Sequence, residues 1–165
     1  MGEIQRISPH SVLDLGIGFG KWGVLCREIL DARFGRCHSD QWEAKIDGFE
    51  VFRDYRNPCW NAYDHLWQMD FRKGPFLVRY DLVLMIDSLE HMPMDEGRPF
   101  LRGLVKRNKR VIVSVPNGRM EQGETFENPH EAHLWTFNGT KEFEPYNFKL
   151  IHQSVCTVVS IEGAK

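Results

Sequence analysis

Residues 12–20 read Val12-Leu13-Asp14-Leu15-Gly16-Ile17-Gly18-Phe19-Gly20, a short apolar strand with an acid near its exit and then three glycines at alternate positions. Glycine lets the backbone turn sharply and lets a ligand approach more closely than any Cβ would permit. The pattern predicts a helix over Lys21–Leu30, with its amino end facing the same ligand. We therefore expect a nucleotide-like cofactor above this loop, and Asp14 favours a cofactor that carries positive charge.

Composition sets the broad class. A chain of 165 residues with a formal net charge of −2 fits one domain, 1–165, and gives no bulk electrostatic reason to expect nucleic acid or an anionic membrane as partner. No apolar run approaches the ~18 residues of a membrane span, and no signal peptide is recognisable. The four cysteines lack any CxxC pair. These features predict a cytoplasmic protein with reduced thiols.

Strand patterns alternate with helical or irregular segments, which is typical of a mostly parallel α/β sheet. A second helix is expected over 100–107, with Pro99 in its first turn. Thr136 could cap a short helix that ends before Pro145. Four aromatic residues are expected in the core, namely Trp42, Trp60, Trp67 and Phe76. The first five strands are expected at Ser11–Leu15, 44–49, 65–69, 81–86 and 110–115.

The carboxyl-terminal part of the chain follows a different pattern. Residues 147–153 and 155–161 are two extended runs with almost nothing between them. So short a connection cannot hold a crossover helix, so these strands should be antiparallel neighbours. The segment 116–135 has no periodicity, and such long segments are usually lids or binding loops. It begins with the turn signal Pro116-Asn117-Gly118, and Gly123 and Pro129 are further hinge points.

Five segments together resemble the class I S-adenosylmethionine-dependent methyltransferases, over nearly the whole chain. The stretch 14–20 is similar to their first motif, D/E-x-G-x-G-x-G. The stretch Asp47-Gly48-Phe49-Glu50 ends with an acid, as their second strand does. Met69-Asp70-Phe71, the stretch 80–91 and the stretch 111–118 resemble their later motifs. The resemblance implies a three-layer α/β sandwich whose mostly parallel seven-stranded sheet has the order 3-2-1-4-5-7-6, with the last strand antiparallel.

The resemblance also implies the cofactor, S-adenosyl-L-methionine, and the residues that bind it. Glu50 would bind the ribose hydroxyls, Asp70 the adenine amino group, and Phe71 would pack on the ring. Carboxylates suit these contacts because charge-assisted hydrogen bonds are the stronger ones. The full set of expected cofactor-binding residues is Asp14, Gly16, Gly18, Gly20, Glu50, Asp70, Phe71 and Asp87.

A dinucleotide site is the main alternative, since the stretch 18–23 also satisfies G-x-G-x-x-G. Against it, Asp14 places an acid beside a loop that would have to bind pyrophosphate. In that pattern, the acid that binds the ribose lies ~20 residues after the glycine motif, and Glu50 lies well beyond this distance. A nicotinamide-dependent oxidoreductase and a non-catalytic cofactor-binding module therefore remain as alternatives.

Histidines near the fourth and fifth strands suggest the chemistry. His91 follows the fourth strand and could take a proton from an acceptor hydroxyl, with His133 opposite it in the segment 116–135. No metal site is assigned, although Asp87, Glu90, His91 and His133 could bind a divalent ion. A similar D/E-x-x-E-H with a later histidine occurs in RNA 3′-terminal 2′-O-methyltransferases, but the E-H pair is also widespread in metal-free relatives.

We therefore expect O-methylation of a small-molecule acceptor by direct displacement, with metal-assisted RNA 2′-O-methylation as an alternative. No [DNS]-P-P-[FYW] motif follows the fourth strand, which argues against a base-flipping enzyme. The basic cluster 106–110 is interpreted as a solvated helix end, so nucleic acid is not expected as a partner. Acceptor recognition would come from 90–99 and 116–135, or from a second subunit of a homodimer.

Overall fold

The computed structural model describes residues 1–74 and 78–164, and Phe76, one of the expected core aromatics, lies outside them. The seven strands and α2 follow the sequence pattern closely. The helices are α1 Gly2–Ile7, α2 Lys21–Leu30 and α3 Met94–Arg107. The strands are β1 Ser11–Leu15, β2 Lys45–Phe49, β3 His65–Trp67, β4 Leu82–Ile86, β5 Arg110–Pro116, β6 Phe148–Gln153 and β7 Cys156–Glu162.

In the described part of the chain, the strands form one seven-stranded sheet with the order β3-β2-β1-β4-β5-β7-β6. The pairs β1–β2, β2–β3 and β4–β5 are parallel, whereas β7 runs antiparallel to both β5 and β6. The predicted strand order and the antiparallel end of the sheet are confirmed. No helix of the described residues is long and apolar enough to cross a membrane.

The chain divides into two compact units, Met1–Leu82 and Val83–Lys165. In the first unit, the apolar side chains of β1 and β2 form the core together with Cys26 and Leu30 of α2. The buried Arg27 of α2 donates hydrogen bonds to Asp31 at 2.9 Å and to Asp64 at 2.6 Å. A buried guanidinium needs such partners, and here they anchor α2 to the segments that precede and follow β2.

In the second unit, β4 and β5 supply the core. Their continuous apolar runs are almost completely buried, as the sequence predicts for strands covered on both faces. Strand β7 also buries Val159 and Ile161, whereas most of β6 is exposed. The antiparallel pair thus closes this end of the sheet with one buried and one exposed strand.

Helix α3 begins at Met94, six residues before the predicted start, and Pro99 lies inside it. The prediction was wrong because it placed the proline in the first turn. The actual first turn follows Pro93, whose carbonyl accepts from the Gly97 amide at 2.8 Å, and it carries Asp95 and Glu96. Acids there are favoured by the partial positive charge of the helix amino end.

The short helix predicted after Thr136 is also absent from the described residues. Phe137 instead bridges to Gly118, whose amide donates to the Phe137 carbonyl at 2.7 Å, so the chain is extended there. Only a single 3-10 turn forms further on, at Lys141–Phe143. A long-range backbone contact thus overrides the local capping signal. Of the other expected core aromatics, Trp60 is buried, while Trp42 and Trp67 are partly exposed.

Candidate functional site

The glycine loop between β1 and α2 has the conformation that its sequence predicts. Gly16, Gly18 and Gly20 all have positive φ, at 78°, 52° and 85°. A Cβ on Gly18 would meet nothing within 4 Å, so this position faces open space. Gly20 directly precedes the first turn of α2. The space at Gly18 is therefore wide enough for another molecule to approach the backbone, and a larger side chain there would fill it.

Glu50 lies beside this loop and is almost completely buried, with 5% of its surface exposed. One carboxylate oxygen accepts from the Gly18 amide at 2.8 Å and the other from the Phe52 amide at 2.9 Å. The acid therefore fixes the middle of the loop. Because each carboxylate oxygen has about two acceptor positions, Glu50 can also accept hydrogen bonds from ligand hydroxyls.

Asp14 lies underneath the loop rather than on its surface. Its Oδ2 accepts from the Tyr63 hydroxyl at 2.6 Å, and the same hydroxyl accepts from the Gly23 amide at 3.0 Å. Its Oδ1 is buried without a hydrogen-bond partner. Burial raises the pKa of Asp14 to about 7, with a small further rise from Glu50 and an opposing effect of the Tyr63 hydrogen bond. The acid is thus poised between its neutral and charged forms near neutral pH.

Two side chains that sequence reasoning missed hold the carbonyl groups of the loop. Trp60 Nε1 donates to the Gly18 carbonyl at 2.8 Å, and Asn57 Nδ2 donates to the Phe19 carbonyl at 3.0 Å. Asn57 also accepts from the Cys59 amide, which caps the 3-10 turn Pro58–Ala62. The Asn-Pro pair at 57–58 signals that turn in the sequence. No local pattern shows that the turn contacts the glycine loop.

Asp70 follows β3 and caps the 3-10 turn Phe71–Lys73 by accepting from the Arg72 amide at 2.9 Å. Its carboxylate also pairs with the Arg72 guanidinium, with Nη2 to Oδ2 at 2.7 Å. Burial favours the neutral acid, but the hydrogen bonds and charge of Arg72 outweigh it, so the pKa of Asp70 lies below its ordinary value. Asp70 is therefore a charged acceptor that any ligand would share with Arg72.

In the second unit, Asp87 follows β4 in the left-handed region, with φ 50°. Its amide donates to the Ser114 carbonyl at 2.9 Å, and its Oδ1 accepts from the Ser114 hydroxyl at 2.8 Å. Ser114, on the neighbouring strand β5, was not singled out from the sequence. The contact ties the unusual backbone of Asp87 to the sheet, and the carboxylate itself is exposed.

Glu90 is buried with only 1% of its surface exposed, and its Oε2 has no hydrogen-bond partner. Burial raises the pKa of Glu90 to about 8, and the charges of Asp87 and Glu131 add to the rise. The backbone of Glu90 is well held, since its carbonyl accepts from the amides of Leu134 at 2.8 Å and Trp135 at 3.1 Å. An unpaired buried carboxyl oxygen is costly, so this position can accept a partner such as a water molecule or a ligand.

His91 and His133 lie next to Glu90, with ring centroids 5.1 Å apart. His91 Nδ1 is 3.2 Å from the Ala132 carbonyl and His133 Nδ1 is 2.8 Å from the Met120 carbonyl. A carbonyl only accepts, so in both rings Nδ1 carries the hydrogen, which leaves Nε2 as the acceptor nitrogen of the neutral imidazole. Burial lowers the pKa of His91, and the Ala132 carbonyl and Glu131 oppose this only in part.

The structure therefore brings together three of the four residues that the sequence suggested as metal ligands. One ligand atom each from Glu90, His91 and His133 lie within 4.8 Å of one another. Glu131 lies close by, with its Oε2 3.9 Å from His91 Nε2. Backbone carbonyls that orient imidazoles through Nδ1 are the usual second layer of a metal site.

The segment 116–135 folds back on itself. The His133 amide donates to the Gln122 carbonyl at 2.9 Å, and Gln122 Nε2 donates to the Glu131 carbonyl at 2.9 Å. At its tip, Phe126 and Glu127 both have positive φ, which is uncommon for such side chains. The backbone of this segment thus presents His133 to His91.

The strand order and the glycine loop define a Rossmann-like class I methyltransferase fold, and comparisons with solved structures agree. The methyltransferase domain of bacterial CtHen1-C superposes with a TM-score of 0.63 at 20% identity, covering 99% of this chain and 94% of that one. The N-terminal domain of EvdMO1 with SAH bound gives 0.64 at 18% identity, covering 95% and 75%. The N-methyltransferase NodS from Bradyrhizobium japonicum WM9 gives 0.62 at 10% identity, covering 99% and 94%. No family model matches the sequence, and no curated protein does so either.

Proposed function

We propose that the protein is an S-adenosylmethionine-dependent methyltransferase. The observation that carries the proposal is the cradle at Gly18, where open space lies over a positive-φ glycine whose amide is bonded to the buried Glu50. This arrangement suits a ligand with a diol, because hydroxyl groups can donate to the carboxylate while the backbone approaches the rest of the ligand. EvdMO1, which shares the fold, was solved with SAH bound.

The residues present fit this cofactor. Glu50 would bind the ribose hydroxyls, and Asp70 with Phe71 would bind the adenine. Asp14 has an unpaired Oδ1 and lies beneath the loop, where its negative form would stabilise a nearby ammonium. Once bound, the cofactor supplies an electrophilic methyl group on its sulfonium. The protein would then orient the two reactants and exclude water, which provides much of the rate in direct displacement.

We further propose a hydroxyl group of a small molecule as the acceptor. His91 Nε2 is the acceptor nitrogen of a ring whose other nitrogen is bound to the Ala132 carbonyl, so the side chain can receive a hydroxyl proton without changing tautomer. His133, held in the same way by Met120, would orient the acceptor beside it. A base fixed by its second nitrogen is the usual arrangement in general base catalysis.

Calorimetry with SAH and with NAD tests the cofactor assignment. We expect SAH to bind and NAD not to bind. Glu50→Gln should weaken SAH binding by about 1.5–3 kcal/mol, because it removes a charged hydrogen-bond acceptor. Gly18→Val should abolish binding while the protein remains folded. Tight NAD binding, or unchanged SAH affinity in Glu50→Gln, would refute the assignment in favour of a nicotinamide enzyme or another ligand.

Transfer of labelled methyl groups to a metabolite extract tests turnover. We expect labelled products from the wild-type protein, fewer from His133→Ala and fewest from His91→Ala, with SAH affinity preserved in both variants. Binding of SAH without any labelled product would instead indicate a non-catalytic cofactor-binding module.

A second candidate function is metal-assisted O-methylation, including methylation of an RNA 2′-hydroxyl. The observation that favours it is the cluster of Glu90, His91 and His133, in which the unpaired Glu90 Oε2 faces no protein partner. The donor set of one carboxylate and two imidazoles fits a divalent transition metal. Such an ion would polarise the acceptor oxygen when bound, and these three residues would hold it.

Binding of Mn²⁺ followed by electron paramagnetic resonance tests this candidate without measuring activity. This second candidate predicts a bound-ion signal that Glu90→Gln and His133→Ala each abolish, whereas the control His38→Ala, an exposed histidine in the first unit, retains it. A wild-type protein that binds no Mn²⁺ would leave His91 as a simple base.

A further inference from the structure

A cleft of about 600 Å³ lies in the second unit, between α3 and the segment 141–146, which begins with the 3-10 turn Lys141–Phe143. It does not include the cluster of Glu90, His91 and His133. Its size falls within the range of small-molecule sites. The residues that give it its chemical character are Arg98, Arg102, Lys106, Lys141, Glu142 and Tyr146.

The cations of the cleft come from two walls. Arg98, Arg102 and Lys106 are spaced four residues apart, so they share one face of α3. Lys141 approaches from the other segment. Arg98 is already paired with Glu142, with Nη2 to Oε2 at 2.7 Å. In the described ranges, no carboxylate lies within 4.0 Å of the charged groups of Arg102, Lys106 or Lys141.

The helix dipole alone does not explain this arrangement. Cations are favoured at a helix carboxyl end, which accounts for Lys106 in the last turn. Arg98 lies near the other end of α3, and Lys141 is not part of that helix. The partly exposed hydroxyl of Tyr146 lies among the same guanidinium groups, and the charges of Arg102 and Arg98 partly oppose the rise that burial causes in its pKa. Groups from separate elements thus converge on one volume.

We infer that this cleft binds a phosphorylated small molecule through its phosphate group. The planar guanidinium of Arg102 and the ammonium groups of Lys106 and Lys141 supply the donors that a phosphate needs, and the Tyr146 hydroxyl supplies another. None of these residues belongs to the proposed cofactor site or to the cluster of Glu90, His91 and His133, so the inference goes beyond the proposed function.

A compact anion fits the cleft better than a nucleic-acid strand. Among the described residues, three of its cations have no acidic partner within 4.0 Å, and Glu142 and Glu144 line the same volume. The whole chain has a net charge of −2, so it carries no bulk positive charge that would attract a long polyanion. A single phosphate group carries at most two negative charges near neutral pH, which three cations can neutralise.

Titration calorimetry with ribose 5-phosphate and with inorganic phosphate, at constant ionic strength, tests the inference. We expect saturable binding of ribose 5-phosphate to the wild-type protein. The double variant Arg102→Gln/Lys106→Gln should weaken it at least tenfold. The matched control Arg107→Gln/Lys109→Gln removes the same charge from residues outside the cleft lining and should change affinity less than twofold. Circular dichroism verifies that both variants are folded.

Three results would overturn the inference. They are the absence of saturable binding by the wild type, equal losses in the two double variants, and tighter binding of a single-stranded oligonucleotide than of the phosphate ester through Arg102 and Lys106. SAH affinity is measured on the same proteins. A wild type that binds SAH but not ribose 5-phosphate rejects only the cleft, and the reverse pattern rejects only the proposed cofactor site.

Discussion

At the scale of single residues, the glycine loop depends on partners that lie far away in the sequence. Trp60 and Asn57 donate to the carbonyls of Gly18 and Phe19 across about forty positions. Carbonyls in a loop of positive-φ glycines have no regular secondary-structure partner, so these side chains hold the loop in one conformation. Binding to a loop that is already ordered costs less conformational entropy than binding that must first order the loop.

Replacing Trp60 with Phe tests this role. The variant keeps the ring against Gly20 but removes the donor to the Gly18 carbonyl. We expect SAH affinity to fall about three- to tenfold, which corresponds to the usual net contribution of one hydrogen bond, ~0.5–1.5 kcal/mol. Trp42→Phe, a tryptophan that packs on Arg27 instead, should leave affinity unchanged in the same calorimetric titration. Equal losses in both variants would show that the effect is general destabilisation.

Asp14 makes stability depend on pH. Its pKa is about 7 in the folded protein and near 3.8 when exposed, so the folded state retains a proton that the unfolded chain releases. The resulting stabilisation is complete below about pH 4 and is lost as pH rises to about 7, at up to ~1.4 kcal/mol per pH unit. Urea unfolding from pH 4.5 to 8 should therefore show a smaller decline in Asp14→Asn than in the wild type. Identical slopes would contradict the buried, protonated acid.

Whether the sequence reveals a residue's role depends on how far along the chain its contact partners lie. Gly18 and Glu50 lie in local motifs at strand ends, so the sequence identifies them. Trp60, Tyr63 and Ser114 act through partners more than twenty-five residues away, and nothing in their own neighbourhood signals the contact. The burial of Asp14 was likewise hidden, because its motif suggests an acid that faces the ligand.

At the scale of elements, helix α3 shows how tertiary packing sets boundaries that local propensity does not. Its two glycines lie in contrasting surroundings. A Cβ on Gly97 would come within 2.7 Å of the Trp135 ring, so the absence of a side chain allows the helix to approach that ring. A Cβ on Gly103 would meet nothing within 4 Å. The amino-terminal half of α3 is therefore held by packing that sequence periodicity cannot reveal.

This contrast gives a paired prediction for α3. Gly97→Ala should destabilise the protein by about 1–3 kcal/mol, because the added methyl group overpacks against Trp135. Gly103→Ala should stabilise it by about 0.5–1 kcal/mol, because alanine is the better helix former at an exposed position. Chemical denaturation measures both. A stabilising effect at both positions would mean that the Trp135 ring moves aside at little cost.

At the scale of the whole molecule, the sheet order follows from constraints that a sequence states clearly. The buried strands β4 and β5 read as continuous apolar runs, and only residues 154 and 155 separate β6 from β7. Those features require a mostly parallel sheet with an antiparallel end. The cleft beside α3 was not predicted, because its second wall, the segment 141–146, has no periodic pattern in the sequence.

Ligand-linked stability tests the proposed cofactor site on the intact chain. A ligand that binds only the folded state at 100 times its Kd stabilises it by about 2.7 kcal/mol. For a protein of this size, that amounts to a rise in Tm of roughly 5–10 °C. We expect this rise with SAH and not with NAD at equal concentration. Without ligand, Gly18→Val should unfold a few degrees below the wild type, because a β-branched residue is strained at this positive φ. It should show no rise with SAH, because its side chain would occupy the open space over the loop. A rise of equal size in that variant would place SAH elsewhere on the protein.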